Sequence, residues 1–196
     1  MTLYDASFEL LGPLQVAVEQ GVRQLLPGLD LRLEPSSCDP NCPESGTVCL
    51  LTVCGPWSGT IAMMCSQAST KALATRLIAE AFGEDGASMQ DIDESTLNEF
   101  EESALRELCN RVGAVLAREL SRTRGFHEIS FPVFFHGSKI NIRKEYDREA
   151  ALMVSFADVD VEFWLGLSPT AGDVATTKHC DSFAEMREQF LAELQR

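Results

Sequence analysis

Two apolar runs, TVCLLTVCG beginning at Thr47 and GTIAMMCS beginning at Gly59, are parted only by Pro56, Trp57 and Ser58, and no other feature constrains the fold as much. A parallel pair of strands needs a crossover of a dozen or more residues, so a connection this short predicts an antiparallel hairpin. KALATRLIAEAFG follows at once, read as a helix that Ser69 or Thr70 caps and Gly83 closes. Ahead of the hairpin, Phe8, Leu11, Leu14, Val18, Val22 and Leu25 recur at three- and four-residue steps. They predict an amphipathic helix over about 5–26, with Pro13 as a kink near its start and PGLD at its end.

The second half repeats this order. EDGASMQDIDES links to the longest helix, read over about 95–122, whose entrance is acidic and whose exit carries Arg118, Arg122 and Arg124 before Gly125. Both biases suit the helix dipole. HEISFPVFFHG reads as extended, and KINIRKEY, AALMVSFAD and VDVEFWLGL read as strands, broken by Gly137, Asp147 and a turn at 158–160. A last helix is expected over about 182–195. Strands grouped between helices and joined by hairpins favour α+β over a doubly wound sheet, and the repeated order permits a pseudo-symmetric, antiparallel arrangement packed against long helices. At 196 residues the expectation is one domain over 1–196, with a Cys-containing loop at about 34–46.

Charge and cysteine content narrow the function. Sixteen Lys and Arg against 30 Asp and Glu leave a net charge of −14, which repels nucleic-acid phosphates and argues against DNA or RNA as a partner. No apolar run reaches the roughly 18 to 20 residues of a membrane span, and the N-terminus lacks a basic start followed by an apolar core, so a cytoplasmic protein is expected. Seven cysteines, an odd number, do not suit a disulfide framework. Cys38 and Cys42 supply only half of a thiolate metal site, so no metal is assigned to the chain, and the others read as small core hydrophobes.

The long helix carries a polar patch whose residues need an account. At about 100° per residue, Leu97, Ala104, Leu108, Val112 and Val115 share one arc, which is taken to face the sheet. Ser103, rotated by about 40° from Glu107, and Asn110, rotated by about 60° in the same direction, form a polar patch turned away from it. Asn is a poor helix former, and its place at mid-helix needs a reason. Any surface helix bears carboxylates and amides, so the Glu and Asn pair does not by itself identify a catalytic site.

The surrounding pattern supplies the reason. GPWSGTIAMMCSQASTKALATRLIAEAFG followed by ESALRELCNRVGAVLARELS resembles the CheC/CheX/FliY family of chemotaxis phosphatases over about 47–167. The family signature is Asp or Ser, three residues, Glu, two residues and Asn, with a proline downstream, and Ser103, Glu107, Asn110 and Pro132 match it. One Glu and Asn pair is the CheX-like pattern. The resemblance implies a phosphatase acting on the aspartyl phosphate of a CheY-like response regulator, with Asn110 positioning the attacking water and Glu107 anchoring the partner. Ser103 and Pro132 are then supporting or partner-binding groups, the chain needs no cofactor of its own, Mg2+ is expected on the regulator, and a homodimer is expected. Two rivals stand beside it: a non-catalytic dimeric adaptor of the same fold that binds a response regulator or flagellar-switch partner, and a redox or metal sensor acting through Cys38 and Cys42.

Overall fold

The computed structural model of the chain describes residues 3–37, 46–83, 97–137 and 145–170, the first six of these as backbone alone. In chain order the elements are α1 (Leu3–Leu25), β1 (Arg32–Pro35), β2 (Gly46–Cys54), β3 (Trp57–Ser66), α2 (Gln67–Phe82), α3 (Glu99–Arg124), β4 (Glu128–Ile129), β5 (Val133–Gly137), β6 (Arg148–Phe156) and β7 (Val159–Pro169). Cys38 and Cys42, most of the linker before α3, part of KINIRKEY and the expected last helix lie outside the described residues.

The expected hairpin is β2 and β3, in antiparallel register from Gly46↔Ser66 to Val53↔Gly59. A second hairpin, β6 and β7, turns through Ala157 and Asp158, where Ala157 takes a φ of 51°. So tight a turn demands a left-handed residue, although alanine lacks the freedom of glycine there. The hairpins meet at β3 and β7, from Trp57↔Pro169 to Cys65↔Val161, and the sheet runs β1-β6-β7-β3-β2-β4 with β5 also on β2. Each half thus contributes a helix, a short strand segment and a hairpin. The short strands are exchanged: β1 borders the second half's β6, while β4 and β5 border the first half's β2. The pseudo-symmetric α+β expectation is met in this form. β1 is an addition, since it falls in the stretch read as the start of a loop and has no run of buried residues to announce it.

Helices α1 and α3 pack on one face of the sheet and on each other. Leu10, Leu14, Val18 and Val22 meet Leu105, Leu108, Val112 and Leu116 in the main core. Gly21 lets the helices approach, because a Cβ there would lie 2.6 Å from Val112 Cγ2. The other face holds a second cluster of Val48, Ala62, Met64, Ala151 and Trp164, with Leu50, Phe135 and Tyr146 against it. Apolar packing on both faces explains why the strand sequences run apolar without alternation.

Two helix starts differ from expectation. Ser66, not Ser69 or Thr70, caps α2: its Oγ accepts from the Ser69 N–H at 3.1 Å, and Ser69 and Thr70 are buried in the first turn. α3 begins at Glu99 rather than near Ser95, because the Asn98 side chain accepts from the N–H groups of Phe100 and Glu101 while the Glu101 carboxylate accepts from the Asn98 N–H. That reciprocal capping box satisfies donors a helix otherwise leaves open. Gly83 and Gly125, at φ 62° and 86°, close α2 and α3 as the sequence implied. Among the described residues no helix is long and apolar enough to cross a membrane.

Candidate active site

The orientation of α3 follows from what it buries. Leu108, Val112 and Val115 of the expected arc are buried, Leu97 and Ala104 are half-buried, and Leu105, Cys109, Leu116 and Leu120 complete the inward face. Ser103 is exposed on the opposite side, and Glu107 and Asn110 are half-buried beside it. The helix therefore presents the three together, turned from the sheet. It is firmly seated: a Cβ on Gly113 would lie 3.0 Å from both Ile129 Cγ2 and Leu51 Cδ2, so β4 and β2 press against its flank.

Within the patch the polar groups differ in freedom. Arg111 Nε donates to Glu107 Oε1 at 2.6 Å, with side chains 51% and 45% exposed. A solvated pair of this kind contributes only about 0.3–0.5 kcal/mol, so Glu107 can exchange Arg111 for another cation at small cost. Among the described residues no hydrogen bond occupies the Asn110 amide, which leaves both its donor and its acceptor available.

Pro132 lies to one side and is buried. Its carbonyl accepts from Arg106 Nη1 at 3.2 Å, and Arg106 also pairs with Glu102 and lies 5.4 Å over the Phe134 ring. The loop between β4 and β5 is thereby tied to α3 one residue from Glu107, leaving Phe131 85% exposed at its tip. The structure thus brings Ser103, Glu107 and Asn110 together on one surface and joins Pro132 to them through Arg106, a link that spacing did not reveal.

Sequence reasoning also missed a groove of about 530 Å³ on the other flank of α3, lined by residues such as Leu25, Leu77, Ile78, Phe82 and Phe100, with Ser103 and Glu107 on its wall. Its one signal in the sequence is two phenylalanines at helix ends: Phe82, four residues from Ile78, and Phe100, four from Ala104, each continue an apolar stripe past the buried core. Behind the site, Cys109 is fully buried and burial holds its thiol well above the usual range, so it stays protonated and is no nucleophile. Cys49, Cys65 and Cys109 are buried free thiols, as their reading as core residues implied. No cluster of three or more metal-ligating side chains occurs among the described residues.

Glu9 lies beside the last turn of α3, paired with Arg124 at 2.9 Å and with Arg148. Glu107 shares the groove with Leu25 and Pro27 at the end of α1. Gly12 follows Glu9 at the three-residue spacing that separates Asn110 from Glu107, with open space where a side chain would be. α1 thus carries a glutamate with no amide three residues on.

No protein-family model and no curated protein sequence matches the chain. Solved structures do. The chain is similar to the chemotaxis protein CheX from Vibrio vulnificus, with a TM-score of 0.61 and 16% identity over 82% of this chain and 99% of that one. It is similar to the CheX–CheY–BeF3–Mg2+ complex from Borrelia burgdorferi at a TM-score of 0.60 and 16% identity, covering 80% of this chain and 96% of the matched one. For FliY from Thermotoga maritima the TM-score is 0.58 and the identity 14%, with 96% of each chain covered. The chain has a CheC/CheX/FliY-type α+β fold.

Proposed function

We propose that this chain is a phosphatase that hydrolyses the aspartyl phosphate of a CheY-like response regulator, with Asn110 positioning the attacking water and Glu107 anchoring the partner. The observation that carries the reading is the outward triad of Ser103, Glu107 and Asn110 on α3, in a fold shared with CheX and FliY, one of the similar structures being a complex with CheY.

An acyl phosphate is already activated, so hydrolysis needs no strong nucleophile. It needs a water held in line with the phosphorus. The Asn110 carbonyl oxygen accepts from that water and its NH2 donates toward it, and a neutral amide does not repel the phosphoryl oxygens as a carboxylate does. The water oxygen bonds to phosphorus as the bond to the aspartyl oxygen breaks, giving inorganic phosphate and the free carboxylate. Glu107 exchanges Arg111 for a lysine that the regulator holds beside its phosphate, which fixes α3 across the partner's site. The divalent ion is assigned to the regulator's own acidic residues, and this chain's residues position water and partner. A −14 chain still docks there, because the attraction is to a cation at short range.

The test is loss of label from phosphorylated CheY-like regulators incubated with the chain. Asn110→Ala is expected to slow it about 100-fold, as for a misplaced reacting group. Equal rates for parent and variant would remove Asn110 from the mechanism. Binding of the regulator without any loss of label would make the chain an adaptor instead. Homodimerisation belongs to the same proposal and is read by sedimentation velocity.

A further inference from the structure

We infer that the groove beside Glu107 receives an apolar side chain of the docked response regulator, with a lysine or arginine next to it on the partner's surface. The inference rests on the docking proposed above and adds what the partner must present.

Position is the first argument. Ser103 and Glu107 form part of the groove wall, so a protein seated on the triad already lies over the opening. Shape and composition are the second. A volume of about 530 Å³ is within the range of sites that take up organic groups. Leu25, Leu77 and Ile78 line it, and Phe82 and Phe100, 53% and 55% exposed, stand at its sides. Half-exposed aromatic rings around a concave apolar surface are the usual anchors of a protein interface.

Charge decides the occupant. Among the described residues that line the groove, Glu80 and Glu107 are the only charged ones, and both are carboxylates. An apolar group flanked by a cation is favoured there and one flanked by carboxylates is repelled. A partner segment that carries carboxylates beside its apolar group is therefore disfavoured, and a second copy of this chain is an outcome that the test below separates. A regulator that offers a lysine to Glu107 matches the same field.

The test measures affinity and turnover separately. A CheY-like regulator activated with beryllofluoride and Mg2+ is titrated by calorimetry against the parent, Phe100→Ala, Phe100→Leu and Ala81→Arg; label loss from the phosphorylated regulator is then measured for each. Phe100 and Ala81 are exposed, so the fold has little to lose. Phe100→Ala and Ala81→Arg are expected to weaken binding about tenfold, with the loss in KM rather than kcat, and Phe100→Leu to recover most of the affinity. Unchanged affinity in both disruptive variants overturns the inference, whether or not the chain proves to be a phosphatase. So does a parent that binds no activated regulator. A variant that alters only the chain's own oligomeric state assigns the groove to a second copy and overturns it as well. Weakened binding by a parent that removes no label leaves the groove standing and removes the phosphatase reading.

Discussion

Asn110 costs its helix roughly 0.5–0.7 kcal/mol of intrinsic propensity relative to alanine, and the amide has no hydrogen bond among the described residues to offset that cost. Asn110→Ala is therefore expected to leave stability within about 0.5 kcal/mol of the parent, or slightly above it, by urea denaturation. A large loss would show that the amide serves the fold. His127 behaves oppositely. It is buried, its Nδ1–H donates to the Gly125 carbonyl at 2.6 Å, and its Nε2 has no partner among the described residues. Burial lowers its pKa below 6.5. Between the lowered value and 6.5 the unfolded chain binds the extra proton, so stability is full above about pH 6.5 and falls as the pH drops, by at most about 1.4 kcal/mol per pH unit from this group. Comparing urea midpoints at pH 8 and 5.5 for the parent and His127→Gln should show a smaller acid loss in the variant; equal losses would clear His127. At this scale the outward placement of Ser103, Glu107 and Asn110 was legible, because the helical period decides which way a side chain points once the apolar face is known. Pro132 was legible only as a position. Its burial and the Arg106 link depend on how a loop folds back, which spacing does not encode.

Helix boundaries follow from caps, and caps are where the elements departed from expectation. Ser66 and Asn98 each lie three or four residues from the boundary first read, in stretches with several Ser, Thr, Asn and Asp residues that could each begin a helix. Only the side chain whose acceptor meets the open N–H groups does so. Asn98→Ala is expected to cost about 1 kcal/mol. The larger effect belongs to its partner: Glu101 is 1% exposed, and Lys71 Nζ of α2 donates to its Oε2 at 2.8 Å. Lys71→Ala leaves a buried carboxylate with its backbone bond alone, at about 2 kcal/mol. This pair also ties α2 to the start of α3, so it holds the groove and the triad in one frame. Chemical denaturation ranks the two variants, and the opposite order would mean that the cap, not the ion pair, joins these helices. Hairpins were the most legible elements, since short turns leave no other connection. β1 was not, because an exposed edge strand needs no apolar pattern.

The order of the whole sheet lay beyond the sequence, because a hairpin's residues fix its own register but not its neighbour. The seam between halves is set by fit. β3 and β7 approach so closely at Gly59 that a Cβ there would lie 1.9 Å from the Gly166 carbonyl oxygen. At Gly166 a Cβ would lie 2.4 Å from the Tyr146 ring, which is held by a 2.8 Å hydrogen bond between its hydroxyl and Thr60 Oγ1, and 2.5 Å from the buried Trp164 ring. A ring can tilt, but a carbonyl within a ladder cannot move without parting the strands. Gly59→Ala is accordingly expected to cost about 3 kcal/mol or more and Gly166→Ala less, while Gly28→Ala, with open space around it, changes stability by under about 0.5 kcal/mol. Urea unfolding measures all three. Because the seam joins the half that supplies Leu77, Ile78 and Phe82 of the groove to the half that supplies Asn110, loosening it should also lower label loss from a phosphorylated regulator under conditions where the variant is still folded. If Gly59→Ala proved as mild as Gly28→Ala, the two hairpins could not be in the close contact on which this sheet depends.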